Sequence, residues 1–430
     1  MIHAESAVRR IGLLATLAGS GPRTGSAMRD LGTLTDAAVA VAGGRIAWVG
    51  ADADFDREVA LASGAAALDA EGAAVVPGLV DPHTHLVFAG NRDDELRRRL
   101  AGASYREIAA AGGGIVRSVD ATRRASVAEL AAGVEARLDE MLLCGTTTAE
   151  VKSGYGLETG AELRSLEAIQ RAASRHPVAV VSTFLGAHEV PLDYRDRREH
   201  YVSLVVEEMI PAVAEQGLAE FGDVFCEAGV FTVEESRRIL RATRDHGMKL
   251  RIHADELAWT GGAELAAELG ARSADHLGFV SEAGMKALAA TSCVATLLPS
   301  AAFFLRLGHY APARSIIEAG APVALASDIN PGGGLSPSLP FAMSVGCFSM
   351  GLSLEEALVA VTANAAFSLE RHHEVGSIEV GKRADLVLLR SPRLLDMVRV
   401  GVRAVDTVVK DGHIVVRDGR RVDAPRGAGS

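Results

Sequence analysis

The sequence predicts an α/β protein: a (β/α)8 TIM-type barrel with a small β-sandwich domain formed from both chain ends. Three observations predict it. Eight short apolar segments alternate with helical stretches through the middle of the chain, the signature of βα units. The two ends are β-rich and differ from the middle. Polar residues sit where seven of the eight apolar segments end, and barrels keep their chemistry at the C-terminal ends of their strands.

At the N-terminus, Ile11 to Ala18 reads as the first strand of a small sheet. Arg9-Arg10 ahead of it also suits a short signal peptide. That apolar stretch is at the minimum length for one, however, and acidic Glu5 precedes it. Residues 37–50 read as a hairpin turning at Gly43-Gly44. The barrel strands expected next are 75–85, 146–153, 178–189, 223–228, 249–256, 273–278, 293–300 and 323–330. Helical patterns at 127–143, 162–174, 233–246, 262–269 and 311–319 separate them. Residues 377–389 add a short strand after Gly381-Lys382, and 405–418 a hairpin turning at Asp411-Gly412. The expected division is residues 1–74 plus 378–430 for a discontinuous small domain and 75–377 for the barrel.

A chain of 430 residues suits a large barrel or two domains. Its 48% hydrophobic content fills a sizeable core. The formal charge of −11 is spread along the chain, which argues for solubility and against a nucleic-acid surface. No uninterrupted apolar run approaches the roughly 18 residues of a membrane span. Cys144, Cys226, Cys293 and Cys347 lie far apart with no C-x-x-C pair. That argues against a disulfide framework or zinc knuckle and for a reducing, cytoplasmic setting.

The chemistry starts at His83-Thr84-His85, which ends the apolar run from Val75. Strand side chains two apart share a face, so both imidazoles project together. Neutral imidazole is the commonest protein metal ligand. A catalytic metal wants at least three protein ligands and an open position for water. His253 is the third candidate and Asp328 the fourth. Their bland alternatives are a satisfied core histidine and a turn residue, since Asn330-Pro331-Gly332 follow. His276, at the next strand end, is a candidate acid/base or oxyanion donor, or else a buried structural histidine. Glu256 can move protons once burial raises its pKa, or else it is a solvated charge at a helix start. The fourth strand carries no lysine to bridge two metals, so one ion is expected, and His with Asp accepts zinc, iron or manganese.

With these residues in view, Pro77-Gly78-Leu79-Val80-Asp81-Pro82-His83-Thr84-His85, then His253, His276 and Ser327-Asp328, resemble the amidohydrolase superfamily. The small domain built from two ends resembles it too. The spacing His253-x-x-Glu256 is similar to the branch holding imidazolonepropionases and the guanine and cytosine deaminases. Residues 83–92, 109–115, 145–156, 183–188 and 223–227 resemble the imidazolonepropionase family, Lys152-Ser153-Gly154-Tyr155-Gly156 and Gly112-Gly113-Gly114-Ile115 most specifically. The likeness covers nearly the whole chain. It departs at Glu189-Val190-Pro191 and at Asn330-Pro331-Gly332-Gly333-Gly334, glycine-rich where many relatives carry Ser or Thr. That leaves position 333 only its backbone for hydrogen bonding.

The resemblance implies metal-dependent hydrolysis of the cyclic amide C–N bond of 4-imidazolone-5-propanoate to N-formimidoyl-L-glutamate, a step of histidine degradation. It implies one Zn2+ or Fe3+ ion and a homodimer. The substrate's propionate calls for a cationic fork, which Arg92 offers; the bland alternative is a surface arginine beside Arg97, Arg98 and Arg99. Tyr155, His188, Glu256, Asn330, Gly332 and Gly333 are the other substrate-binding candidates. Either Asp328 or His276 takes the proton of water, and either His188 or His276 stabilises the oxyanion. A purine or pyrimidine deaminase on the same site would not need Arg92, and a barrel used only for binding would lack ligands. Gly112-Gly113-Gly114 lacks the Lys-Ser/Thr of a phosphate loop and reads as a mobile loop near the site.

Overall fold

The structure, a computed structural model, describes residues 1–103 and 114–422. The loop expected at Gly112-Gly113 falls outside those residues. The N-terminal stretch that also suited a signal peptide is a strand, Ile2–Ala15, and Val8, Ile11 and Leu14 are buried. It is the hub of the small sheet. Thr33–Ala42 pairs with it antiparallel, while Val59–Asp69 and Ala74–Pro77 pair with it parallel. Thr33–Ala42 and Arg45–Ala51 form the expected hairpin. Gly43 and Gly44 turn it at φ of 56° and 73°, a left-handed pair that glycine adopts without steric cost.

The other chain end contributes Leu386–Leu389, Val405–Lys410, His413–Arg417 and Arg420–Arg421. Leu386–Leu389 pairs with Ala74–Pro77, so both ends share one nine-stranded sheet, a path of eight strands with Val59–Asp69 branching off it. The path curls back on itself. Ile46 N–H donates to Lys382 O, and Ala384 N–H to Gly44 O. Ile11, Val39, Ile46, Leu386 and Val409 fill the core so enclosed.

The barrel strands are Leu79–Asp81, Thr146–Lys152, Ala179–Ala187, Phe221–Cys226, Lys249–Ala254, Ser273–His276, Val294–Leu297 and Val323–Leu325. They lie in sequential order with parallel pairing. Helices Val127–Leu143 and Gly262–Leu269 keep the expected bounds, and Val233–Asp245 stops one residue short. Ser126 and Thr232 begin two of them with reciprocal capping boxes to Glu129 and Glu235. No described helix is long and apolar enough to cross a membrane.

Seven of the eight barrel strands are shorter than their apolar segments, and the first and last show why. Residues 75–85 are divided: Ala74–Pro77 belongs to the small sheet and Leu79–Asp81 to the barrel. Gly78 is the joint. Its N–H donates to Asp385 O at 2.8 Å, and a Cβ there would lie 2.2 Å from Thr147 Oγ1. The strand stops at Asp81 because Pro82 has no N–H to extend the ladder. The last strand stops at Leu325 rather than Asn330. Asp328 takes a φ of 50°, outside the β region. The barrel is knit together beyond these ends, where Asp328 N–H donates to His83 O (3.1 Å) and His85 N–H to Ile329 O (2.9 Å).

Candidate active site

The bonds between the first and eighth strand ends carry the candidate metal ligands. His83 Nε2 lies 3.2 Å from His85 Nε2, which lies 3.4 Å from His253 Nε2. Asp328 Oδ1 lies 3.7 Å from His83 Nε2 and 3.5 Å from His85 Nε2. All four residues are buried, and Asp328 Oδ1 has no hydrogen-bond partner. Four donors about 2.1 Å from a tetrahedral ion stand about 3.4 Å apart. The donors present therefore fit one ion, and the orphaned carboxylate oxygen fits as its fourth ligand.

Protonation suits that use. Burial pushes His83 and His85 well below the ordinary histidine value, with Lys152 adding at His83 and His188 at His85. Both imidazoles are therefore neutral, the ligating form. His83 Nδ1 lies 2.6 Å from Asp275 Oδ2, and His253 Nδ1 lies 3.0 Å from Asp223 Oδ2. The hydrogen bond at His83 fixes its tautomer and turns Nε2 toward the ion, and at His253 the Asp223 carboxylate stands within ion-pair reach of the far nitrogen.

His276 and Glu256 stand beside this cluster, His276 Nδ1 3.5 Å from Glu256 Oε1. Burial raises Glu256 well above the carboxylate range, helped by Asp328 and Glu227. Burial also pushes Asp328 up to about 7. His276 has a φ of 77°, so it and Asp328 both hold left-handed backbone. Such conformations cost on the order of 1–3 kcal/mol in non-glycine residues and gather at functional sites.

The opposite wall carries Arg92, at the start of helix Asp93–Leu100. Its Nε donates to Glu95 Oε2 at 2.7 Å, and Glu95 Oε1 accepts from Gly114 N–H. Gly332 makes room for the guanidinium, since a Cβ there would lie 2.0 Å from Arg92 Nη1. Asn330 braces this loop. Its Oδ1 accepts from Gly332 and Gly333 N–H (2.8 and 2.6 Å), and its Nδ2 donates to Asp328 O. The Asn330 amide is thus engaged within the loop, as are those two backbone N–H groups.

Tyr155 sits on a loop gathered by Glu162, whose buried carboxylate accepts from the N–H groups of Gly154, Gly156 and Leu157. The Tyr155 ring centre lies 5.3 Å from that of His188. His188 stacks on His85 and donates Nδ1–H to Gly154 O at 2.9 Å. Burial, then His253, pushes His188 down to about 3. Its Nε2 is therefore a lone-pair acceptor. One pocket collects Arg92, Tyr155, His188, Glu256, Asn330, Gly332 and Gly333 with His85, His253, His276 and Asp328. Glu227, another strand-end carboxylate, instead accepts from Leu257 and Ala228 N–H.

Residues 74–415 match the family model described as the amidohydrolase family. The chain belongs to the amidohydrolase family. This amidohydrolase is 51% identical to an imidazolonepropionase of Symbiobacterium thermophilum, over 95% of this chain and 96% of that one. It is 49% identical to an imidazolonepropionase of Geobacillus kaustophilus, over 96% and 98%. Among solved structures its fold is similar to an adenosine deaminase from Xanthomonas campestris with bound zinc (TM-score 0.72, 18% identity, 98% and 95% covered). It is also similar to Escherichia coli guanine deaminase (TM-score 0.71, 17% identity, 96% and 99% covered).

Four carboxylates of this amidohydrolase escaped the reading of its sequence. Glu95 had a usable signal, its i, i+3 spacing from Arg92. Glu162 lies on the helix after the Tyr155 loop, where nothing local marks it. Asp223 and Asp275 sit within strands: the pairing of neighbouring strands brings Asp223 near His253, while Asp275 meets His83 only across the barrel interior.

Proposed function

We propose that this amidohydrolase opens the ring of 4-imidazolone-5-propanoate, hydrolysing its cyclic amide C–N bond to N-formimidoyl-L-glutamate in histidine degradation. The observation that carries the reading is Arg92 facing a one-ion cluster across a single pocket. High identity to proteins named imidazolonepropionase over nearly the whole chain supports the same substrate. His83, His85, His253 and Asp328 hold the ion, Zn2+ or Fe3+. Such an ion lowers the pKa of water toward about 7 and polarises a carbonyl.

The residues around it do the rest. Arg92 grips the propionate, and Tyr155 packs and orients the ring. His188 accepts a ring N–H at Nε2, since its Nδ1–H is held by Gly154 O. Asp328 takes the proton of the attacking water, as a carboxylate at the edge of the site can. Neutral His276 turns an N–H toward the oxyanion. Glu256, whose burial raises its affinity for a proton, delivers one to the departing nitrogen. Asn330, Gly332 and Gly333 shape the end of the pocket that receives the carboxylate. In this reading the barrel that begins after Gly78 and ends near residue 377 is catalytic, and the sheet built from residues 1–77 and from 378 onward supports it. The protein works as a cytoplasmic homodimer.

The test is an assay of purified, metal-loaded protein with 4-imidazolone-5-propanoate, coupled to metal analysis. Formation of N-formimidoyl-L-glutamate at about one ion per chain is expected. Loaded protein that leaves the substrate intact contradicts the reading. Sedimentation gives the oligomeric state.

A further inference from the structure

Beneath the ligand histidines lies a group of charges of which only Asp223 and Asp275 have so far been given a part. Glu150, Lys152, Asp223, Arg251 and Asp275 all lie inside the barrel, and none is more than 2% exposed. Lys152 Nζ is 2.7 Å from Glu150 Oε1, 2.8 Å from Asp223 Oδ2 and 3.8 Å from Asp275 Oδ2. Arg251 Nη2 donates to Pro82 O (2.8 Å) and to Asp275 Oδ2 (3.3 Å). Burying an ion costs several kcal/mol unless it is well paired, and a binding protein has no need of five such groups in its core.

Two of these carboxylates are the ones that face the histidines. Asp275 Oδ2 meets His83 Nδ1, and Asp223 Oδ2 meets His253 Nδ1. We propose that Lys152 is a positioning residue for the metal centre: it anchors Asp223 and Asp275, which turn His253 and His83 so that each Nε2 faces the ion. Lys152 is fully buried and touches neither substrate nor ligand site directly, so it acts through the carboxylates. Burial alone would lower its pKa, but Asp223 and Glu150 outweigh burial and keep the ammonium charged. Arg251 anchors Asp275 from the other side. With three carboxylates and two cations, the group keeps one excess negative charge below a site that takes a cation.

The inference rests on the one-ion reading of the cluster, and the test separates the two. Zinc affinity is measured by chelator competition on wild type, Lys152→Met and Asp223→Asn, each checked by circular dichroism and thermal unfolding without metal. Wild type is expected to bind about one zinc. A wild type that binds none overturns the ion reading itself. Lys152→Met is expected to bind zinc roughly 10- to 100-fold more weakly, the range seen when outer partners of ligands are lost. Its KM at saturating zinc should stay within about twofold of wild type. A folded Lys152→Met with wild-type zinc affinity overturns the inference, even if its melting temperature falls, because that pattern is a purely structural role. Should Lys152→Met not fold, Asp223→Asn decides. It keeps the shape of the side chain and removes the charge that links Lys152 to His253, so wild-type affinity there overturns the inference too.

Discussion

Gly332 and Arg92 compete for one volume. A methyl group at 332 would lie 2.0 Å from Arg92 Nη1, so Gly332→Ala displaces the guanidinium without touching a metal ligand. KM for the propionate substrate is expected to rise at least about tenfold, an order set by weakening one charge-assisted contact, while metal content stays constant. Steady-state kinetics beside metal analysis check this. Arg92→Ala removes the fork itself. A hydrogen bond to a charged group contributes about 1.5–3 kcal/mol, so KM should rise roughly 10- to 150-fold. An unchanged KM in Arg92→Ala would take the anchor away from Arg92 and favour a substrate without a carboxylate. Glu95 belongs to the same account, since it holds the Arg92 Nε.

The contact between the first and eighth strand ends matters most among the elements, because it carries three candidate ligands. Its loop turns tightly on itself. Asn330 N–H donates to Gly334 O, and a Cβ on Gly334 would lie 1.5 Å from Asp328 O. Gly334→Ala therefore forces the Asp328 backbone to move. The expected outcome is weaker metal binding, lower kcat and a lower melting temperature together; metal content as in wild type would show that Asp328 is not held from this side. Helix Val127–Leu143 makes a contrast. Its N-cap Ser126 accepts from Glu129 N–H, and Glu129 reaches back. Ser126→Ala should cost about 1 kcal/mol in urea unfolding and leave kcat and KM alone.

For the whole molecule, the ion is expected to join stability to activity. It binds only where folding has brought strands one, five and eight together, so it stabilises the native state by mass action. At free ion one hundred times its Kd that amounts to about 2.7 kcal/mol. Chelation should abolish turnover and lower the melting temperature, and added metal should restore both. A chelated protein that turns over at the loaded rate would sink the metal-dependent reading. Much of this was legible beforehand. Eight apolar segments, two β-rich ends and polar strand ends suffice for a barrel and a small sheet, since strand alternation and βα spacing are local patterns. His83, His85, His253 and Asp328 stand out because each follows an apolar run that must be buried. Other features needed the folded chain. Gly78 divides one apolar run between two sheets, because Thr147 on a neighbouring strand leaves no room for a Cβ there. Asp223, Asp275, Lys152 and Arg251 become a set only across successive strand pairings that run from Thr146–Lys152 to Ser273–His276. Which residues bear chemistry follows from local pattern. How a buried charge is paired depends on neighbours distant in the chain, and the cost of leaving it unpaired exists only once water has been excluded.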